Sequence, residues 1–111
     1  MTQGISESDW ERFRQLHPVA LERFSQIILG EIERVNSDSS RSFHQRYLDI
    51  YKIIEHRDKE ISRLFNDLRR SSALMHIAAI HGRGLITNAE LDGFSQELIH
   101  VVKSLVHDGL V

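Results

Sequence analysis

Cysteine is missing from all 111 residues, which excludes disulfides, thiolate zinc sites and cysteine nucleophiles. Proline occurs once, at Pro18, and the stretch from Arg41 to His81 carries neither proline nor glycine, so no backbone residue there forces a helix to stop. No apolar run approaches the ~20 residues that span a bilayer. Met1-Thr2-Gln3-Gly4-Ile5 lacks the basic and apolar regions of a secretion signal. A formal net charge of -2 lacks the basic excess of a general nucleic-acid binder. Arg41, Arg46, Arg57, Arg63, Arg69 and Arg70 spread around a helical cylinder among acids rather than gathering on one face. Neither a glycine-rich phosphate loop nor a hydrolase motif is present. These absences point to a soluble cytoplasmic protein of one domain over 1–111, frayed at 1–7 and 108–111, with no nucleic-acid or membrane partner.

What is present is helical periodicity. Phe43, Tyr47, Ile50, Ile54, Arg57, Ile61, Leu64 and Leu68 step by alternating fours and threes, which sets them on one stripe of an α-helix. A supercoiled helix pair requires the same alternation. The stripe is too long for the rest of the chain to cover, so it predicts a homodimer formed through residues 43–68. Arg57 is its one charged member, inside the polar run Glu55 to Glu60. That run reads as a solvated stretch with His56–Glu60 and Glu55–Lys59 as i,i+4 pairs. The sharper alternative makes Arg57 a registering residue, paired with a carboxylate from another helix or subunit and replaceable by leucine without loss of stability. Asn66, Asp67, Ser71 and Ser72 favour turns over helix, which predicts a break near 68–72.

Upstream, Ser8-Asp9-Trp10-Glu11 reads as a capping box, and Pro18 separates a short helix over 9–16 from a second one starting at Pro18. Leu21, Phe24, Ile28, Ile32 and Val35 form the inward stripe of that second helix, with Ile27 and Leu29 broadening it. Gly30 in its interior suggests a close crossing by another helix. His17 reads as a turn residue. Asn36 to Ser40 is a short linker, so the flanking helices pack as an antiparallel hairpin. Downstream, Ser72 to Ile80 is a buried helix with His76 and His81 turned inward as neutral, hydrogen-bonded residues. Arg69-Arg70 suits an N-terminus poorly and favours continuation from the long helix. The last helix runs over 88–107 with Leu91, Phe94, Leu98, Val101 or Val102, and Leu105 inward, and Gly93 as a weak point.

Two fragments invite a metal reading. Gly84 to Leu91 matches the second half of an EF-hand loop, with Glu90 as the bidentate carboxylate. The first ligand positions fall on Ala79, His81 and Arg83, which supply no oxygen set. Gly82 ending one helix and Thr87 capping the next, with Glu90 closing a capping box, accounts for the fragment. Glu97-Leu98-Ile99-His100 has the Glu-x-x-His spacing of di-iron bundles, but no second copy exists. A phosphoacceptor histidine lacks the lysine-glycine pair that follows it in phosphotransfer domains. The expectation is therefore an all-α bundle of about four to five helices built on a long hairpin. Its function is a helical interaction or regulatory module, with no cofactor, metal or catalytic residue. The alternative is a metal-binding or catalytic bundle using Glu97 and His100.

Overall fold

The computed structural model describes residues 4–109. It consists of five α-helices and no strand among the described residues: α1 (Glu7–Asn36), α2 (Phe43–Phe65), α3 (Ala73–Gly82), α4 (Asn88–Leu91) and α5 (Gln96–His107). A short 3-10 turn at Arg70–Ser72 leads into α3. No described helix is long and apolar enough to cross a membrane.

One continuous helix, α1, replaces the two expected on either side of Pro18. Pro18 sits on the exposed side, so the Arg14 carbonyl deprived of its N–H faces water. Phe13, Leu16, Ala20, Phe24 and Ile28 are buried on both sides of the proline, and packing of that face carries the helix through. The N-cap is Ser6 rather than Ser8: the Ser6 hydroxyl accepts from the Asp9 N–H at 3.2 Å, while Glu11 pairs with Arg14 instead of reaching back. Fraying expected at 1–3 and 110–111 lies outside the described residues. Residues 5–7 are docked, since Arg70 donates to the Ile5 carbonyl at 2.7 Å and to Glu7.

The loop over 37–42 turns the chain into the expected antiparallel hairpin, and the Ser42 hydroxyl caps α2 by accepting from the Gln45 N–H. The break after α2 starts earlier than expected, at Asn66, and Asp67 takes a left-handed φ of 63°. Leu68 therefore lies beyond the helix that the stripe assigned it to, and α3 starts afresh instead of continuing α2. Two histidines finish α2. The Leu64 carbonyl accepts from His76 Nδ1 at 2.8 Å and the Phe65 carbonyl from His17 Nε2 at 2.9 Å, which satisfies acceptors that the last turn leaves orphaned. His17 is thus a helical capping partner and not a turn residue.

The expected helix over 88–107 is two. Thr87 and Glu90 form the capping box of α4, and Ser95 caps α5 after a turn at Asp92-Gly93-Phe94. The Arg12 guanidinium lies against Gly93, donating to the Glu90 carbonyl and resting over the Phe94 ring, so a side chain at 93 would displace it. At Gly30 the expected crossing is absent: an added Cβ would meet only Arg34 of the same helix.

The core is concentrated at one end of the hairpin. Phe13, Phe24, Leu64, Phe65, Ile77, Ile80, Leu85, Ile86, Leu91, Phe94, Leu98 and Val102 pack where α3, α4 and α5 close on the start of α1 and the end of α2. From 29 to 59, no residue is buried. The two helices project from this base as an arm, giving overall extents of 56 × 26 × 25 Å.

Candidate interaction surface

Along the arm, α2 divides its apolar residues between two directions. The side turned to α1 carries Ile50, Ile53, Arg57, Ile61 and Leu64, partly or fully buried. Phe43, Tyr47, Tyr51 and Ile54 are 85%, 63%, 56% and 51% exposed. At 3.6 residues per turn these four lie roughly a quarter turn from the buried side. The stripe read from spacing thus straddles both: Ile50, Arg57, Ile61 and Leu64 serve the intrachain contact, Phe43, Tyr47 and Ile54 stay open, and Leu68 is exposed beyond the helix end.

The open side extends onto α1. Glu31 of α1 and Lys52, Ile53 and His56 of α2 line a shallow depression on one flank of the hairpin. Helical spacing turns Leu29, which is 64% exposed, away from Glu31 and toward the other flank. Leu29 and Ile27, expected to broaden an inward stripe, are exposed, because among the described residues only α2 packs on this part of α1. Arg46 lies over the Phe43 ring at 4.6 Å and donates to the Asn36 carbonyl, holding the tip of the arm together.

At the root of the arm sits an ionic cluster. Arg57 Nε donates to Glu31 at 2.8 Å and Arg57 Nη1 to Glu60 at 2.7 Å. Arg83 also pairs with Glu60. Glu60 is 6% exposed. Burial pushes its carboxyl up, and hydrogen bonds from Arg83 and Arg57 more than reverse this, leaving it below its ordinary value. Arg57 therefore takes a carboxylate from another helix of the same chain, Glu31, and one from its own helix. Of the solvated pairs expected nearby, His56 approaches Glu60 at 3.6 Å. Glu55, Asp58 and Lys59 are exposed.

Glu90, the would-be calcium ligand, is committed elsewhere. Arg23 holds it through two hydrogen bonds at 2.7 and 2.9 Å, and it also accepts from the Thr87 N–H at 2.9 Å. The Arg23 hydrogen bonds lower its carboxyl most; burial opposes them and the Thr87 N–H assists, to a net value of about 2. Glu97 and His100 are both exposed on α5, and no group of three His, Asp or Glu residues able to hold a metal occurs among the described residues. His76 and His81 are half-buried; His81 Nε2 meets the Asn88 side-chain oxygen at 3.1 Å, while its Nδ1 is buried without a partner among the described residues.

The burial of Asp9 and Glu60 and the place of Tyr51 on the open side were not anticipated from the sequence. Asp9 is buried because Ser95 supplies its backbone N–H at 2.9 Å and its hydroxyl at 2.6 Å, from across the chain, and no local pattern announces such a pair. Tyr51 had a signal, the i,i+4 run Phe43-Tyr47-Tyr51, which the longer heptad pattern overshadowed. In comparisons with known proteins, no family model matches the chain, and no curated protein or solved structure matches it significantly, so the reading of this surface rests on its own residues.

Proposed function

We propose that the protein is a helical interaction module that self-associates through the open flank of its arm, with Phe43, Tyr47, Tyr51, Ile54 and Leu29 at the centre of a two-fold interface. One observation carries this reading: a two-helix arm with no buried residue from 29 to 59 concentrates its exposed aromatics on one flank. A two-helix hairpin gains little from its own packing, and a second copy laid on that flank supplies the missing layer, as in a four-helix bundle. At ~150–250 Å² per buried aromatic, this patch offers roughly 600 Å² per chain, near the ~800 Å² per partner of a standard interface. A second copy is favoured over an unrelated partner because a two-fold interface uses the same patch on both subunits, so this one flank is enough to build it. Placement in the cytoplasm belongs to the same proposal.

Sedimentation at micromolar concentration tests it. A dimer is expected, and Tyr47→Glu, which sets a charge in the middle of the flank, is expected to return the monomer with its helical content intact. A wild-type chain that stays monomeric at high micromolar concentration rejects self-association. The alternative built on Glu97 and His100 gains no support from two exposed side chains on one helix.

A further inference from the structure

We propose that the groove between the end of α2 and α3, in the base and away from the arm's open flank, binds a small organic carboxylate with an apolar body. The groove encloses about 460 Å³, within the range of small-molecule sites. Leu64, Met75 and Ala79 give it an apolar lining, and Arg63, His76 and Arg83 supply its polar groups. No acidic side chain lines it.

The hydrogen bonding of these groups leaves donors to spare. The Leu64 carbonyl can only accept, so His76 Nδ1 donates to it; Nε2, without a partner among the described residues, is an acceptor in the neutral ring, and the donors left over are those of the two arginines. Arg63 makes no ion pair or hydrogen bond among the described residues, and Arg83 meets Glu60 through one Nη2, keeping its other donors. Arg83 is thus offset by Glu60, whereas Arg63 is not. That balance matches one negative charge better than the two of a phosphate monoester. A planar carboxylate suits the guanidinium fork, and the half-exposed Met75 side chain adapts to the shape of a hydrocarbon body.

The test is a methyl and imidazole NMR titration of the full chain with phenylbutyrate, against phenylbutyramide as its uncharged counterpart. Saturable shifts centred on the Met75 methyl and the His76 ring are expected, with the acid binding at least about tenfold more tightly than the amide. Arg63→Met, an exposed change that keeps the stem and removes the charge, is expected to cut the acid's affinity about tenfold and leave the amide's unchanged, and Arg63→Lys to restore most of it. Equal binding of acid and amide overturns the proposal, as do shifts centred elsewhere, an Arg63→Met variant that binds as wild type, or no saturation by about 10 mM. Sedimentation of the same samples reports on the arm separately, so loss of this site and loss of self-association are distinguishable.

Discussion

Arg57 and Arg83 approach one buried carboxylate, Glu60, from two elements, and both guanidinium groups also lie over the Phe24 ring, at 5.6 and 5.8 Å. A lone arginine in an apolar seam could be exchanged for leucine with no loss, but Arg57 is not alone. Arg57→Leu strips Glu60 of half its donors and leaves Glu31 unpaired, so the change is expected to destabilise by about 2 kcal/mol. Adding Glu60→Leu to that variant removes the stranded charge and is expected to recover part of the loss in denaturant titrations. A single variant as stable as wild type would show that the pair contributes nothing in solution. Glu90 sets a second expectation. Its folded value of about 2 lies below the ordinary 4.5, so the unfolded chain takes up the proton first as pH falls. The stability it contributes is fully present above about pH 4.5 and is lost progressively toward pH 2. Thermal melts between about pH 5 and about pH 3 are expected to show this fall, and Arg23→Gln to flatten it.

Among the elements, α1 departs furthest from local expectation, because a proline that ends helices in isolation is carried here by burial on both of its sides. Its N–H is missing toward water, where no side chain depends on it. Pro18→Ala restores that hydrogen bond without disturbing a contact, and is expected to stabilise by about 1–2 kcal/mol, less than the full ~3 kcal/mol helix penalty because the unfolded chain also gains freedom. A lowered melting temperature for Pro18→Ala would mean that α1 needs its bend. The end of α2 shows the complementary case. Its poor helix formers announce the break, but the histidines that satisfy its last carbonyls come from α1 and α3, which meet there only in the folded chain.

At the scale of the whole molecule, stability is distributed unevenly along the long axis. The base holds the core, and the arm holds two helices joined by Arg57–Glu31, partly buried isoleucines and the Arg46 contacts at the tip. Local opening follows buried contacts, so amide hydrogens from about 31 to 55 are expected to exchange through low-energy openings in dilute protein, while those of α3 and the buried half of α1 exchange only on global unfolding. If copies associate through the open flank, protection of the arm rises with protein concentration and that of the base does not. Uniform protection along α1 at every concentration would contradict this division.

Helical character, the hairpin, the break after α2 and the Thr87–Glu90 capping box were all legible in the sequence. Each depends on propensity, periodicity or hydrogen bonds reaching no more than four residues along the chain. Periodicity also located a largely apolar stripe on α2, but a stripe as wide as this one does not say which of its edges the neighbouring helix will take. Packing against α1 decided that, drawing in Ile50, Arg57, Ile61 and Leu64 and leaving Phe43, Tyr47 and Ile54 in water. Continuity across Pro18, the division of the last helix under Arg12 at Gly93, and the burial of Glu60 between Arg57 and Arg83 were likewise settled by tertiary structure. In each, groups distant in sequence supply the packing or the charge that a local pattern cannot contain.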